Sequence, residues 1–485
     1  MARVVVLGAG IAGHTAALML RKELPEEHEV TVVSPKPQYN WIPSNIWVGV
    51  GKMKPEDVAF DLAPVYSREG IAFRLARAVE LHPEGDAKDA TPFVVAESTA
   101  PGRAGERERV PYDFLVNATG PRLNFAATPG LGPEANSTSV CTHDHAANAA
   151  QRLEAVIQRM QRGERQTLVI GMGHGGCTCE GAAFEYVFNV DFLLRERGVR
   201  DLARLVFLTN EAELGDFGVG GIHLRRGGYR VHTKIFAESL HAERGIESIL
   251  GAHVQRVDPG VVHYETLDGQ EHSLALDFAM LLPPFSGQPI NAYDRQGTDI
   301  TGQIFAPSGF MKVDADYTAK PFEAWRASDW PRTYQNQRYG NVFAVGIAFA
   351  PPHPISRPRK SERGTLIAPA PPRTGMPSAV MARTVALSIR DMIVDGKPGP
   401  TRTASMAEIG ASCVASAGAS WLRGTAVSMT MYPIVPDFER YPETGRDMRF
   451  TFGEIGTAGH WIKKILHHMF LWKARARPGW SHIPE

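Results

Sequence analysis

The chain has 485 residues, which is enough for two or three folded cores. Lysine plus arginine and aspartate plus glutamate number 52 each, so the net charge is zero and nothing in it indicates a nucleic-acid partner. Four cysteines are too few for a disulfide-stapled secreted scaffold, and they point instead to chemistry, metal binding or core packing.

The N-terminal residues predict a strand, a glycine turn, a helix and a second strand. An apolar run over 4–7 leads into GAGIAG, and the next apolar run ends at Ser34-Pro35. Such glycines let the backbone turn tightly beside a pyrophosphate, which the helix amides then bind. We therefore predict a dinucleotide site at Gly8, Gly10, Ala12 and Gly13, with Ser34 and Pro35 at the ribose position, where Asp or Glu is usual.

The same plan recurs from residue 166. The tract TLVIGMGHGG is followed by a helical stretch, CEGAAFEYVFNVDFLLRERG, and by a strand, RLVFLTN. Each copy closes with a strand after an aspartate, Asp113 or Asp277. The repetition predicts an α/β fold with two tandem Rossmann-like dinucleotide-binding domains. Because Thr209-Asn210 offers no acid to a ribose, NADH in the second copy is the less favoured alternative.

Ala118, Thr119 and Gly120 follow the closing strand FLVN of the first copy. This short motif resembles the one with which FAD-dependent, disulfide-reductase-like proteins return to their cofactor. Together with the duplication, it favours FAD over a nicotinamide cofactor in the first domain.

Cys177 and Cys179 lie where the second glycine turn opens into a helix. The helix dipole and the free amides would stabilise a thiolate there and lower its pKa, although a cysteine also packs well as a small apolar core residue. Cys413 lies in the small-residue tract GASCVASAG, which lets the backbone come close to a flat or bulky group.

Cys141 lies in the segment SVCTHDHA, close to two histidines. His143 and His145 have a spacing that zinc sites use, but no fourth ligand accompanies them, so we expect no metal. Asp144 is expected to cap the amphipathic helix that follows, which would run from about 144 to 162.

Many tracts taken together resemble the sulfide:quinone oxidoreductase family over nearly the whole chain. They are SPKPQYNWIPSNIWVGVG, the ATGP turn, SVCTHDHA, CEGAAFEYVF, NVFAVGIA, PRTG, SCVASAG and GHWIKKILHHMFLWKARA. The resemblance implies oxidation of sulfide to polysulfide or elemental sulfur through a cysteine bridge and FAD, with electrons passed to a membrane quinone.

The resemblance also implies roles for particular residues. Cys179 and Cys413 correspond to the redox-active bridge, and Cys141 corresponds to the third family cysteine. His145 corresponds to an active-site histidine, although a solvent-exposed histidine at the start of a helix explains it about equally well. Cys177 has no counterpart, and Asp216 stands where the family has a histidine. Further cofactor contacts are expected at Pro43, Asn45, Gly346, Thr374 and Gly375, and quinone contacts at Trp421, Tyr432 and Phe452.

On this basis the chain divides into five segments. Residues 1–125 would be the first part of the FAD-binding domain, 126–165 a connecting helix, 166–290 the second Rossmann-like domain, and 291–395 the return to the FAD domain. Residues 396–485 would form a small C-terminal region for the quinone site and membrane attachment. A Pro- and Arg-rich loop over 351–375 is expected on the surface, followed by a helix over 377–394.

The C-terminal tail predicts an amphipathic helix. Its apolar face would comprise Ile462, Ile465, Leu466, Met469 and Phe470, with basic residues turned toward lipid headgroups. A helix packed on the core is the alternative. No apolar run is long enough to span a bilayer, so we expect peripheral or monotopic attachment, with the membrane face undetermined.

The expected partners are therefore sulfide, a quinone and a lipid surface, with a homo-oligomer left open and no nucleic acid. Three rival functions remain: an NADH:quinone reductase of the same fold, a sulfide dehydrogenase flavin subunit, and a flavin-bearing redox sensor without turnover. The cysteine positions and the missing ribose acid argue against the first rival. The basic amphipathic tail argues against the second.

Overall fold

The computed structural model describes residues 1–420 and 423–485. In these residues the α-helices are α1 (Ile11–Glu23), α2 (Asn45–Gly49), α3 (Pro55–Val58), α4 (Leu62–Glu69), α5 (His143–Gln161), α6 (Glu180–Glu196), α7 (Thr233–Arg244), α8 (Thr301–Ile304), α9 (Gly375–Val394) and α10 (Thr457–Ala474).

The strands of the described residues are β1 (Arg3–Leu7), β2 (Glu29–Ser34), β3 (Gln38–Asn40), β4 (Ala59–Asp61), β5 (Ala72–His82), β6 (Phe93–Ser98), β7 (Arg107–Pro111), β8 (Phe114–Asn117), β9 (Arg122–Leu123), β10 (Gln166–Met172), β11 (Ala203–Leu208), β12 (His223–Arg226), β13 (Tyr229–His232), β14 (Glu247–Ile249), β15 (His253–Asp258), β16 (Val261–Glu265), β17 (Glu271–Ala275), β18 (Phe278–Leu282), β19 (Phe285–Ser286), β20 (Asn291–Ala292), β21 (Val342–Ala344), β22 (Arg359–Lys360), β23 (Leu366–Ile367), β24 (Ala411–Ser416), β25 (Ala426–Met431) and β26 (Phe452–Gly456).

The first predicted βαβ unit is confirmed, and it forms the centre of an eight-stranded sheet. The strand order is β21-β8-β1-β2-β5-β6-β7, with β20 paired to β5. Strands β1 and β2 run parallel, and so do β1 and β8. Their apolar runs are buried, as expected for parallel strands covered on both faces. Strand β21 pairs with β8, which brings a segment from beyond residue 340 back to this sheet.

The second predicted βαβ unit is confirmed as well. Strands β10 and β11 are parallel neighbours in a four-stranded sheet of order β14-β11-β10-β18, and α6 connects them. A separate three-stranded antiparallel sheet, β15-β16-β17, packs a smaller apolar core against this unit. The carboxyl end of β10 leads into the glycine turn that precedes α6, so the cysteines at 177 and 179 lie at this edge.

The C-terminal strands belong to a sheet that also contains a hairpin from the middle of the chain. Its order is β13-β12-β26-β25-β24, and Arg225 of β12 pairs with Phe452 of β26. Helix α10 packs on this sheet, and α6 packs on its outer strand β24. The last ninety residues are therefore built into the molecule through strand pairing.

Two predictions about connecting segments have different outcomes. Helix α9 begins two residues before the expected 377 and ends at the expected 394, so that prediction is confirmed. The loop over 351–375 agrees with its predicted surface position only in part: Arg359, Lys360 and Arg363 are exposed, whereas Ser356, Ile367 and Arg373 are buried. It folds back because its backbone bonds the second glycine turn: the amides of Ala368 and Ala370 donate to the carbonyls of Gly175 and Cys177.

Within residues 1–420 and 423–485, no helix combines the length and the apolarity that crossing a bilayer requires.

Candidate functional site

The first glycine turn has the close contacts that a pyrophosphate cradle needs. Gly8 has φ +94°, and a Cβ added there would lie 2.3 Å from the carbonyl oxygen of Ala118. A Cβ on Gly13 would lie 2.0 Å from the carbonyl oxygen of Gly8. At Gly10, the N-cap of α1, a Cβ would meet nothing within 4 Å. The turn is therefore closely packed at Gly8 and Gly13, and it leaves space at Gly10, ahead of the helix amides. This arrangement binds a phosphate.

The end of β8 lies directly beside this turn. The amide of Ala118 donates to the carbonyl of Leu7 at 2.8 Å. The Thr119 hydroxyl donates to the side chain of Asn117 at 2.8 Å, and Gly120 has φ +68°. The predicted ATG segment and the glycine turn thus form one edge of the first sheet.

Three more predicted cofactor residues reach the same edge from the far part of the chain. A Cβ on Gly346 would lie 3.0 Å from the Cβ of Ala12, and one on Gly375 would lie 3.1 Å from Cδ1 of Ile11. Thr374 is the N-cap of α9, which packs along α1. The residues from 346 and 374–375 therefore surround the start of α1.

The remaining predicted cofactor residues lie after β2. Ser34 is buried at the end of that strand, where its hydroxyl contacts the backbone of Lys36, and Pro35 is exposed. Pro43 lies in a short 3₁₀ turn ahead of α2. Asn45 is fully buried, and its amide donates to Asn40 and to the carbonyl of Val140. This last bond ties the first domain to the segment that carries Cys141.

Cys141, Cys177 and Cys179 lie near one another at the start of α6. A thiolate on Cys141 would raise the pKa of both of the others. Cys179 is the N-cap of α6 with φ +72°, an unusual conformation for a residue with a side chain. Cys177 is fully buried, and its thiol donates to the carbonyl of Leu282 at 3.1 Å. Cys413 lies on β24, which packs on α6.

All four cysteines are free thiols in this structure, and their protonation differs from the sequence-based expectation. Burial raises the pKa of Cys179 to about 12 and that of Cys141 and Cys413 to about 11. Burial also raises the pKa of Cys177 well above the usual value. The expected lowering by the helix dipole at Cys177 and Cys179 is therefore wrong, because desolvation and the neighbouring Glu180 both oppose a thiolate.

His145 lies in the first turn of α5. Thr142, and not the expected Asp144, caps this helix, because its hydroxyl accepts from the amide of His145 at 3.2 Å. Burial lowers the pKa of His145, and its ring packs edge-on against Phe125. The histidine is thus half-buried and favours the neutral form, which is suited to accepting a proton.

The second glycine turn is filled by the protein's own groups. A Cβ on Gly173 would lie 2.6 Å from the Leu131 side chain, and one on Gly175 would lie 2.9 Å from Nδ1 of His253. The side chain of Asn210 donates to the carbonyls of Gly175 and Cys177. Because a leucine, a histidine and the folded-back loop occupy this turn, it disfavours a nicotinamide dinucleotide.

Two of the three predicted quinone residues lie at one end of the paired strands β25 and β26, where Thr430 pairs with Phe452. Tyr432 is half-buried, its amide donates to the Thr451 hydroxyl at 3.2 Å, and its ring lies 6.0 Å from that of Phe450. Phe452 is exposed on β26. Trp421 lies outside the described residues.

Comparison with known proteins agrees with this geometry. Residues 2–283 match the family described as pyridine nucleotide-disulphide oxidoreductase. A sulfide-quinone reductase of Aquifex aeolicus is 30% identical over 97% of this chain and 91% of its own length. The chain belongs to the pyridine nucleotide-disulphide oxidoreductase family and, within it, to the sulfide-quinone reductases.

Solved structures place the fold in the same group. The sulfide:quinone oxidoreductase of Aquifex aeolicus superposes with a TM-score of 0.75 at 28% identity, covering 98% of this chain and 92% of that chain. NDH2 from Plasmodium falciparum superposes with a TM-score of 0.64 at 10% identity, covering 98% and 96% of the two chains, and shares the fold alone. The fold is thus the mixed α/β dinucleotide-binding flavoprotein fold.

Members of this sulfide-quinone reductase family are FAD flavoproteins, and the cofactor of this chain is FAD. The first glycine turn fits that cofactor: its glycines are required by contacts under 3 Å, and the space ahead of the helix amides is open.

Sequence reasoning missed four charged residues at the site. Arg373 is buried within the PRTG tract; its guanidinium lies over the rings of Phe310 and Phe349, and its charge acts on Cys179. Glu185 of α6 forms a buried ion pair with Lys463 of α10, and both act on Cys413. Glu180 directly follows Cys179 and is fully buried. The sequence signal that could have identified Glu180, Glu185 and Lys463 is the presence of charged residues inside the apolar runs CEGAAFEYVF and GHWIKKIL.

Proposed function

We propose that the protein oxidises sulfide to polysulfide or elemental sulfur and passes the electrons through FAD to a membrane quinone. The sulfide-quinone reductase of Aquifex aeolicus supports the reaction class. The observation that carries it for this chain is α6, which begins directly after Cys179 and packs on the strand of Cys413. FAD, when bound, supplies a two-electron carrier between sulfur and quinone.

Cys179 and Cys413 are proposed to form the redox-active bridge. Hydrosulfide attacks this bridge, the bond between the two cysteine sulfurs breaks, and a persulfide forms on one while the other leaves as a thiolate. The charge of Arg373 near Cys179 favours a thiolate there against the burial that opposes it. At Cys413 the paired charges of Glu185 and Lys463 act in opposite directions. The site thus holds a cation for a leaving thiolate on Cys179.

Cys141 and His145 are proposed to assist at the same end of α6. A thiolate on Cys141 would raise the pKa of Cys179, and this electrostatic coupling supports a role in handling the product sulfur. His145 follows on the first turn of α5, and its neutral imidazole supports proton transfer. Cys177 is proposed to be structural, because it is fully buried and its thiol is already bonded to a carbonyl.

The first glycine turn and the residues around it are proposed to hold FAD. Glycine contacts and the open helix start support a pyrophosphate at this turn, and the packing of α9 on α1 supports a common site. The set comprises Gly8, Gly10, Ala12, Gly13, Ser34, Pro35, Pro43, Asn45, Ala118, Thr119, Gly120, Gly346, Thr374 and Gly375. Trp421, Tyr432 and Phe452 stay proposed quinone contacts.

Helix α10 is proposed to attach the protein to a lipid surface. Its inner face is polar and buried through His460, Lys463 and His467, whereas Ile462 and Ile465 on the other face are exposed. Ile42 and Trp472 add two more exposed apolar side chains. An apolar face turned outward from a polar inner face supports burial in the headgroup region.

One part of the expected membrane contact is wrong. Two basic residues of the tail do not face lipid headgroups as predicted, because Lys463 is buried against Glu185 and Lys473 is buried against Glu485, whereas Arg477 is exposed. These lysines satisfy buried carboxylates, so the attachment that we propose depends on apolar burial more than on charge.

The reaction is tested by anaerobic absorbance of the purified holoprotein on adding sulfide and then a short-chain quinone. We expect sulfide to bleach the oxidised-flavin band and quinone to restore it. Cys413→Ser should abolish the bleaching, because no bridge can form. Cys177→Ser is the matched control and should bleach normally, since serine keeps a donor for the carbonyl of Leu282.

Two results would contradict this assignment. Bleaching by NADH but not by sulfide would move the protein to the nicotinamide-dependent class. Near-normal bleaching of Cys413→Ser by sulfide would remove that cysteine from the mechanism.

A further inference from the structure

Three carboxyl side chains lie together between the start of α6 and the segment after β11. Glu180 is the first residue of α6; it is fully buried, and neither of its carboxylate oxygens makes a hydrogen bond. Glu211 is buried three residues after the end of β11, and Asp216 is half-buried five residues further on. A buried carboxyl group without a partner is costly, so its retention calls for an explanation.

One strained turn contacts all three carboxyl groups. The amide of Phe217 donates to Oε1 of Glu211 at 2.7 Å, and the amide of Gly218 donates to Oδ1 of Asp216 at 3.0 Å. A Cβ added to Gly218 would lie 3.3 Å from Oε2 of Glu180. Phe217 has φ +54°, a left-handed conformation that costs on the order of 1 kcal/mol outside glycine. The turn therefore brings the three carboxyl groups together in one cluster, which is called the row.

The inner end of this row lies at the cysteines. Glu180 directly follows Cys179 in the chain, and a carboxylate at Glu180 would raise the pKa of both Cys177 and Cys179. Glu180 thus lies beside the sulfur atoms where the proposed reaction releases protons.

The outer end of the row opens at a surface cavity of about 160 Å³. Asp216 lines this cavity with His232, Glu213 and Arg357, and the last two are exposed. The hydroxyl of Ser356 donates to Oδ1 of Asp216 and accepts from the amide of Gly220. Asp216 therefore faces space that water can fill.

Charges around the row favour shared protons. Burial raises the pKa of Glu180 well above its usual value, and the charges of Glu211 and Asp216 add to the rise. Burial likewise raises the pKa of Glu211 to about 7, and it also raises the pKa of Asp216. Arg446, whose guanidinium donates to four backbone carbonyls, is the buried cation near Asp216 among the described residues. Three close carboxyl groups cannot all ionise, so the row keeps at least one proton at neutral pH.

We propose that Glu180, Glu211 and Asp216 form a proton-exit path from the sulfide-oxidising cysteines to the surface cavity at Asp216. The proposal rests on the proposed function, because the protons are those that sulfide loses. The path is particular to this chain, since Asp216 stands where the family resemblance led us to expect a histidine.

The attack of sulfide on the cysteine bridge moves one proton along the row. Protonated Glu180 gives its proton to the carboxylate of Glu211 and takes one from H₂S, which becomes the attacking HS⁻. The bond between the sulfurs of Cys179 and Cys413 breaks, one sulfur becomes a persulfide, and the other leaves as a thiolate. Glu211 then passes the proton to Asp216, which releases it to water in the cavity. The electrons follow the proposed route to the quinone.

The test measures the rate of sulfide-dependent flavin bleaching in the holoprotein, in H₂O and in D₂O, at low buffer and with added imidazole. We expect Glu180→Gln and Asp216→Asn each to slow bleaching about 100-fold and to give a solvent isotope effect that the wild type lacks. Imidazole should restore Asp216→Asn, because it can enter the cavity, but not Glu180→Gln, whose defect is buried. Glu265→Gln, a buried carboxyl on β16 outside the row, is the matched control.

Each outcome separates the path from the function. No bleaching of the wild type by sulfide would overturn the proposed function itself. Normal bleaching of the wild type, with wild-type rates and isotope effects in both row variants, would overturn the path alone. A slow Asp216→Asn that imidazole does not restore would make the residue structural and also overturn the path. If Glu180→Gln loses its bound FAD, Glu211→Gln replaces it as the buried variant.

Discussion

Burial raises the pKa of Glu211 more than any neighbouring charge does. Its side chain is almost fully buried, and this raises its pKa from 4.5 to about 7, although Phe217 and Thr209 donate hydrogen bonds to it. The folded protein thus holds this proton more tightly than the unfolded chain. The stabilising contribution is complete below pH 4.5 and is lost as the pH rises through about 7.

Glu211→Gln should therefore become more stable relative to the wild type as the pH rises. Glutamine cannot ionise, so the difference in the free energy of unfolding should shift by about 3 kcal/mol in favour of the variant between pH 4 and pH 8. Thermal denaturation of both holoproteins across this range measures the shift.

Glu265→Gln provides a control of opposite sign for that measurement. Burial opposes ionisation of Glu265, but hydrogen bonds from Ser361 and Thr365 outweigh it and lower its pKa. This variant should lose stability relative to the wild type at high pH. If both variants respond to pH in the same way, the assignment of the Glu211 proton is wrong.

At the scale of elements, helix α10 is held on the molecule by neutral histidines. His467 bonds the hydroxyl of Ser44 at 2.9 Å, and His14 of α1 bonds the carbonyl of Ala474 at 2.6 Å. Burial lowers the pKa of both to about 4, and it lowers that of His460 as well. Since undocked histidines titrate near 6.5, docking of α10 loses stability as the pH falls from 6.5 toward 4.

Acid should therefore loosen α10 before the rest of the molecule. At pH 5.5, hydrogen exchange within 457–474, corrected for intrinsic rates, should speed up about tenfold for each of His14 and His467 relative to pH 7.5. Helix α9 contains no histidine and serves as the internal control. Equal acceleration in α9 and α10, or none in α10, would contradict this account.

The elements with local signals were predicted from the sequence, and those formed by distant pairing were not. The glycine turn at Gly8 and the helix after Cys179 follow from neighbouring residues, and both occur as expected. The pairing of β12 with β26 and the burial of Arg373 depend on segments far apart, for which one sequence carries no signal. The same holds for Glu180, which is buried with its carboxyl group close to the turn at Gly218. The five segment boundaries and the cysteine bridge stay predictions.

At the scale of the whole molecule, charge gives no general attraction to lipid. Basic and acidic residues balance at 52 each, and two tail lysines are buried against carboxylates. The proposed membrane attachment therefore depends on the exposed apolar face of α10, where Ile465 is 61% exposed.

Ile465→Glu should weaken co-sedimentation with liposomes by about tenfold or more, because a buried isoleucine side chain is worth about 1.5–3 kcal/mol. Ile235→Glu is a matched control, since Ile235 is 58% exposed but lies on α7, away from the tail. Flavin bleaching by sulfide should be unchanged in both. Equal liposome binding by the two variants would contradict attachment through α10.

The sheet that joins a mid-chain hairpin to the C-terminal strands has a consequence for synthesis. Arg225 of β12 donates to the carbonyl of Arg449, 224 residues later, and pairs with Phe452, the first residue of β26. A ribosome adding about 5–20 residues per second needs on the order of 10–45 seconds to supply that partner. During this interval one edge of the hairpin has unpaired backbone groups, which is the kind of edge that recruits strands from other chains. Nascent chains that stall before β26 are thus the ones most exposed to aggregation.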